Sequence, residues 1–324
     1  MTVTHQTWAD RIEEYILSKH RESGGKAFRK KNWIPSRVST KSYDKVSVFC
    51  SFLSYITSYC LWEQTCVTMT RFKAVVEYDG TQYHGWQWQK DVPTVQGAME
   101  KALQRILPDS SRIVGAGRTD AGVHAEGQVI HFDAHWTRST TELLRGWNAL
   151  LPPDIVVRSL SVTSEAFHAR HSARSKTYRY VIRNHLLRCP LSRFYAWHLS
   201  FPLDITLMKE ATSHLMGTHN FAAFGQPTDG TPSTVREVLH ADWCVDEPGE
   251  FLSFMIVATG YLRYMVRSLV GTLVLVGRGK LTPDEFAAIL GSGERNRSGP
   301  TAPPHGLRLI SIEYSPETHP AEPP

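Results

Sequence analysis

Cysteine is scarce in this sequence of 324 residues, and its positions are scattered: Cys50, Cys60, Cys66, Cys189 and Cys244. An odd number at irregular spacing does not make a disulfide framework. The spacing also lacks the C-x-x-C pairs that are typical of structural zinc sites. We therefore predict a protein of the reducing cytoplasm.

Long apolar runs are also missing. The most apolar stretch near the N-terminus, residues 46–62, contains five serine and threonine residues. It falls short of the ~20 strongly apolar residues that a membrane span needs, and it lies too far from the first residue for a signal peptide. The sequence predicts neither a membrane segment nor secretion.

Nucleotide and metal motifs are absent as well. A dinucleotide-binding G-x-G-x-x-G pattern starting at Gly115 fails at Asp120, and no G-K-[ST] follows to make a P-loop. Three histidines near Asp133, namely His124, His131 and His135, match no strong metal-ligand spacing. We predict no metal, and interpret His131, Asp133 and His135 as a polar strand face.

The chain is mildly basic. Lys and Arg number 36 against 31 Asp and Glu, which gives a formal net charge of +5 and a pI near 8.9. Such a surplus favours a polyanionic partner without identifying one. The length exceeds the ~250–300 residues at which single cores stop growing, so one large domain or two smaller ones are expected.

The chain changes character near Met69. Residues 1–68 show little periodicity and are predicted to be an N-terminal extension, with the hypothesis that translation starts at Met69. The orderly part is predicted to form two subdomains, residues 69–172 and 173–315, followed by a frayed, Pro-rich tail over 316–324.

Periodicity in the orderly part alternates between strands and helices. Alternating apolar residues predict strands over 72–78, 112–114, 129–133, 177–183 and 251–257. Capping residues predict helices after Thr94, Ser139, Asp204 and Thr282, and helical spacing predicts another over 264–276. This order favours an α+β fold with two subdomains around a cleft over a doubly wound parallel sheet.

The strongest chemical signal is a Gly-rich loop over residues 115–125 that contains Asp120. If the loop is extended, Arg118 and Asp120 point to the same side. An arginine beside a buried carboxylate keeps it ionised, which suits nucleophilic attack or proton abstraction. The alternative is a Gly-rich turn that an Arg-Asp pair merely ties down.

Two basic segments could contact a polyanion. Residues 170–180 interleave cations with aromatic side chains, including Tyr178, as in surfaces that contact phosphates and stack on exposed bases. Arg263 and Arg267 would share one face of a helix, where they could grip phosphate or pair with Asp120. The alternatives are a solvated strand face and a helix with two exposed cations.

Taken together, these segments resemble one family, the tRNA pseudouridine synthase A family, over about residues 71–315. The matching segments are Tyr78-Asp79-Gly80-Thr81, Gly85-Trp86-Gln87, Thr94-Val95-Gln96, Gly117-Arg118-Thr119-Asp120-Ala121-Gly122-Val123-His124-Ala125, Phe167-His168-Ala169-Arg170, Lys176-Thr177-Tyr178-Arg179-Tyr180 and Met265-Val266-Arg267. Asn220 departs from the aspartate that the family often carries, at a position that is not the catalytic acid.

The resemblance implies a pseudouridine synthase fold, α+β, with a mostly antiparallel central sheet and a basic cleft. It implies isomerisation of uridines 38, 39 and 40 of tRNA in the anticodon arm, by a homodimer without a cofactor. It also implies site roles: Asp120 is the catalytic aspartate, Tyr178 stacks on the target base, Arg118 fills the space of the flipped nucleotide, and Arg267 pairs with Asp120.

Two other functions remain open at this point. One is a noncatalytic RNA-binding protein or RNA chaperone that uses the same basic cleft. The other is a carboxylate-dependent hydrolase acting on a nucleoside or sugar. Such hydrolases usually need two acids flanking the bond, and the loop offers only Asp120, with Glu126 beyond it.

Overall fold

A computed structural model describes residues 69–227, 232–246 and 249–315, all of which belong to one unit spanning residues 67–324. The predicted extension over 1–68, with its apolar run, and the predicted tail over 316–324 lie outside the described residues. The division into subdomains at residues 172 and 173 stays a prediction. None of the described helices is long and apolar enough to cross a bilayer.

The described residues form ten strands. They are Thr70–Tyr78 (β1), Val114–Gly115 (β2), His124–Ala134 (β3), Ile155–Val162 (β4), Ala173–Asn184 (β5), Trp197–Leu199 (β6), Gly217–Asn220 (β7), Val235–Val245 (β8), Phe251–Ala258 (β9) and Leu307–Tyr314 (β10). Five α-helices accompany them: Val95–Leu103 (α1), Thr140–Leu150 (α2), Ile205–Ser213 (α3), Met265–Gly277 (α4) and Pro283–Ser292 (α5).

All ten strands join one sheet, whose main order is β4-β1-β3-β10-β5-β9-β8-β7. Neighbours are antiparallel except at β3–β10 and β5–β6. The last strand, β10, inserts between β3 and β5 and so connects the earlier part of the sheet with the later part. The predicted α+β fold with a mostly antiparallel central sheet is confirmed.

Helix starts follow the capping residues. Thr94 and Asp204 accept hydrogen bonds from the first turns of α1 and α3, and Ser139 and Thr282 form capping boxes on α2 and α5. These side chains satisfy backbone N–H groups that have no partner within the helix. The predicted helix over 264–276 begins one residue later, at Met265.

The helices bury one continuous apolar face of the sheet. Phe72 of β1 stacks on its strand partner Phe132, and Trp147 of α2 packs edge-on against Phe132 at 5.4 Å between ring centroids. Trp243 of β8 donates its indole N–H to Thr212 of α3 at 3.0 Å. Burial of these large rings drives the packing of α2 and α3 against the sheet.

Candidate active site

The Gly-rich loop joins β2 to β3, and the segment that follows β1 packs around it. The Trp86 amide donates to the Thr119 carbonyl at 3.1 Å, and the Gly122 amide donates to the Tyr83 carbonyl at 3.3 Å. Gly85 has φ +91°, and a Cβ there would lie 2.6 Å from the Thr119 carbonyl oxygen. A side chain at Gly85 would therefore displace the loop.

Three buried or half-buried side chains from three strands of the sheet hold the loop in place. We call this set, Tyr78 of β1, Gln128 of β3 and Lys176 of β5, the loop cradle. Tyr78 Oη and Thr119 Oγ1 share a hydrogen bond of 2.8 Å. Gln128 Nε2 donates to the Gly117 carbonyl at 2.7 Å, and Lys176 Nζ donates to the Ala116 carbonyl at 2.6 Å. The cradle fixes the backbone immediately before Asp120.

Asp120 forms an ion pair with Arg267 of α4. The distance from Arg267 Nη1 to Asp120 Oδ2 is 2.8 Å, and Arg267 Nε also donates to the Ala302 carbonyl at 2.8 Å. The Asp120 side chain is 25% exposed and that of Arg267 is 14% exposed, so the carboxylate is held yet open to solvent. Charge-assisted hydrogen bonds of this kind are the stronger ones in proteins.

Tyr178 lies beside the Gly-rich loop that carries Asp120. It is buried in β5, its ring packs edge-on against Tyr261 at 4.8 Å between centroids, and a Cβ at Gly117 would lie 3.9 Å from its hydroxyl. Burial raises the pKa of Tyr178 above the ordinary value, and the negative charge of Asp120 raises it further. The structure thus brings Asp120, Tyr178 and Arg267 together from three distant parts of the chain.

Arg118 is exposed, whereas Thr119 turns inward to the cradle and Asp120 is partly exposed. This alternation is the one expected for an extended loop, with Arg118 and Asp120 facing outward. The sequence predicts Arg118 as the cation that keeps the Asp120 carboxylate charged. In the structure, Arg267 forms the ion pair with that carboxylate. The proposed role of Arg118 beside a flipped nucleotide stays a prediction.

Arg263 does not share a helix face with Arg267, so that expectation is wrong. The helix begins at Met265, and Tyr264 before it has a left-handed backbone with φ 66°. Arg263 instead pairs its backbone with Gln226. A residue in the left-handed conformation cannot continue an α-helix. Arg263, which precedes Tyr264, therefore lies outside the helix.

Lys176 is a site residue that sequence reasoning missed, because it was grouped with the phosphate-contacting cations. Its amine points to the Gly-rich loop. Burial lowers its pKa to about 8, and the charge of Arg170 contributes. The only sequence signal was its place two residues before Tyr178 on β5, which puts both side chains on one face.

Replacing Lys176 by Met should change how stability depends on pH. The folded pKa near 8 lies below the ordinary value of 10.5, so between these values the unfolded chain binds more protons. Folding stability from this group therefore rises with pH across that window, because the cost of burying a charged amine is relieved. The free energy of unfolding of the wild type minus that of K176M should increase between pH 8 and pH 10.

Urea unfolding at several pH values measures this difference. Lys101, an exposed residue of α1, supplies the control variant K101M. A difference between wild type and K176M that stays constant from pH 8 to pH 10 would contradict the prediction.

Two of the three histidines considered for a metal site, His124 and His131, make other contacts. His124 Nδ1 accepts from the Gly80 amide at 3.1 Å, and His131 Nδ1 accepts from the Ala169 amide at 3.1 Å. Asp133 binds Arg71 through both carboxylate oxygens, at 2.7 and 2.8 Å. Burial lowers the pKa of His131 to about 4, so the ring is neutral at pH 7. These contacts join loops to strands.

Comparison with known proteins identifies the class to which this chain belongs. A family model described as tRNA pseudouridine synthase matches residues 74–189 and 211–315, which include Asp120, Tyr178 and Arg267. The class of protein is therefore that of the tRNA pseudouridine synthases.

Individual relatives narrow the assignment. The tRNA pseudouridine synthase A of Thermoanaerobacter sp. (strain X514) is 44% identical over 246 residues, which cover 76% of this chain and 100% of the relative. That of Myxococcus xanthus is 42% identical over 247 residues, covering 76% of this chain and 92% of the relative. This chain belongs to the tRNA pseudouridine synthase A family, and the predicted resemblance is confirmed.

Proposed function

We propose that this chain isomerises uridine to pseudouridine in the anticodon arm of tRNA, at positions 38 to 40, with Asp120 as the essential carboxylate. The observation that carries the proposal is the Asp120–Arg267 ion pair, which is 2.8 Å long and partly open to solvent, in a loop that the Tyr178 hydroxyl approaches at Gly117. Family membership supports the reaction and the RNA class.

The chemistry fits a site with one held carboxylate. The reaction breaks the N1–C1′ bond of uridine and forms a C5–C1′ bond, and the detached uracil turns between the two steps. No group donor or redox change is involved. Attack on C1′, attack on C6 and proton abstraction all require an ionised carboxylate. Arg267 stabilises that ionised form, and Tyr178 would stack on the base while it turns.

A uridine within an RNA stem must first leave its helix. Unstacking and unpairing cost a few kcal/mol, which contacts between cations and phosphates can offset. Arg118 beside Asp120, together with Arg170 and Arg174 near the start of β5, is exposed and able to make such contacts. In the proposed mechanism Arg118 occupies the space that the extruded nucleotide leaves.

The hydrolase alternative is less well supported. Its second acid would be Glu126, whose carboxylate binds Arg179 at 2.7 Å and Arg308 at 3.0 Å. Arg179 alternates with Tyr178 along β5, so it projects from the opposite face of the sheet. Glu126 is therefore turned away from Asp120, whereas two acids flanking a bond are needed for glycoside hydrolysis.

Mapping modified bases tests the proposal directly. Purified protein is incubated with unmodified tRNA transcripts, and pseudouridine is located at single-nucleotide resolution. We expect new pseudouridine at one or more of positions 38, 39 and 40 and no released uracil. Modification only outside the anticodon arm would overturn the proposed position, free uracil would favour the hydrolase, and binding without modification would favour the noncatalytic RNA-binding protein.

Two further expectations stay predictions. The resemblance implies a homodimer, which light scattering of the purified protein tests directly. The composition implies work in the cytoplasm, which imaging of a tagged chain in its native cells tests.

A further inference from the structure

Tyr264 has an unusual backbone conformation next to the candidate active site. Among the described residues, two that are not glycine have a positive φ, Asp91 and Tyr264. Tyr264 has φ 66° and ψ 1° and directly precedes α4, three residues before Arg267. Glycine and asparagine tolerate this conformation, whereas a bulky aromatic residue is strained there.

The ring of Tyr264 contacts two arginines. The guanidinium carbon of Arg263 lies 4.8 Å from the ring centroid, and that of Arg267 lies 5.4 Å from it. A guanidinium over an aromatic face is attracted by the ring's electron density. The half-buried ring therefore lies against the same guanidinium that pairs with Asp120.

Three contacts together determine the orientation of the Arg267 guanidinium. They are the carboxylate of Asp120, the Ala302 carbonyl and the Tyr264 ring. The first two are hydrogen bonds that lie in the plane of the guanidinium. They still allow the plane to rotate about the axis that joins the two bonds. The Tyr264 ring makes a third contact with the guanidinium and restricts this rotation.

We propose that Tyr264 is a positioning residue that holds Arg267, and through it Asp120, in the reactive geometry. Strained residues persist where the surroundings over-determine them, and they cluster at functional sites. The strained backbone places the ring beside Arg267, three positions further along. This inference rests on the roles proposed above for Asp120 and Arg267.

The test separates positioning from stability. Tyr264→Asn removes the ring and suits the left-handed backbone, whereas Tyr264→Phe keeps the ring. Single-turnover rates of pseudouridine formation, dissociation constants for tRNA and thermal midpoints are measured for both. We expect Y264N to react roughly 10- to 100-fold more slowly, with tRNA affinity within about twofold and a thermal midpoint no lower than that of the wild type.

Matched variants complete the test. Y264F should react within about threefold of the wild type, because the ring contact remains. Asp91→Gly relaxes the other positive φ, in an exposed turn before α1, and should leave the rate unchanged. In a R267K background, Y264N should cause little further loss, because two residues acting through one contact are not additive.

Several outcomes would overturn the inference. A wild-type rate for Y264N would do so, as would a slow Y264N with a lowered thermal midpoint or weakened tRNA binding, which indicates general damage. A slow Y264F would also do so, since the hydroxyl and not the ring would then matter. If the wild type itself makes no pseudouridine, the proposed function fails; if the wild type is active and Y264N equals it, only the role of Tyr264 fails.

Discussion

Replacing Asp120 by Asn is expected to slow pseudouridine formation by about a thousandfold or more, a size typical for loss of an essential catalytic group. Asparagine keeps the shape of the side chain and an acceptor for Arg267, whose guanidinium lies 2.8 Å away. It removes the charge that nucleophilic attack or proton abstraction requires. Single-turnover kinetics with unmodified tRNA measure the loss, and filter binding should show tRNA affinity within a few fold of the wild type.

A second aspartate supplies the control. Asp133 pairs with Arg71 at 2.7 Å and is 30% exposed, close to the 25% of Asp120, but it lies at the far end of β3. D133N therefore loses a comparable ion pair away from the Gly-rich loop, and should keep the wild-type rate. Retained activity in D120N, or equal loss in both variants, would contradict the assignment of Asp120.

Replacing Arg267 by Lys is expected to cost roughly a hundredfold in rate, although the charge is conserved. Arg267 donates from Nη1 to Asp120 and from Nε to the Ala302 carbonyl, at 2.8 Å in each case. The single amine of lysine cannot reproduce this planar fork. Asp120 would then lose its fixed position, and small displacements of a catalytic group can cost about a hundredfold.

A matched exchange elsewhere separates chemistry from folding. Arg71 binds Asp133 through two nitrogens, also donates to the Glu165 and Phe167 carbonyls, and has a side chain that is 21% exposed. R71K breaks more hydrogen bonds than R267K and should lower the thermal midpoint at least as much, while only R267K slows the reaction. The assignment of Arg267 would be wrong if R267K reacted as fast as R71K under saturating enzyme.

Much of the fold could be predicted because its signals are local. A capping residue and its amide partner are two or three positions apart, and alternation along a strand is visible within a few residues. Strands with irregular burial were missed for the same reason. In β8 a register shift between Val238 and His240 breaks the alternation, and the edge strand β4 is mostly exposed.

The sequence predicted the acid of the candidate site but not the cation that pairs with it. The Gly-rich loop identified Asp120 because glycines and a lone acid stand within eleven residues. Which cation pairs with that acid was left open by the residues themselves, among Arg118, Arg263 and Arg267. The family resemblance favoured Arg267. In the structure its guanidinium binds Asp120, which lies 147 residues earlier in the chain.

The sequence by itself determined the helices with their caps, several of the strands, the Gly-rich loop and the candidate acid within it, since each depends on residues close together in the chain. Only the tertiary structure decided that β10 inserts between β3 and β5, that Lys176 reaches the Ala116 carbonyl, and that Tyr264 adopts a strained backbone beside Arg267. Such contacts join residues far apart in sequence or override local preference, because burial and packing of the whole sheet outweigh the conformational preference of any single residue.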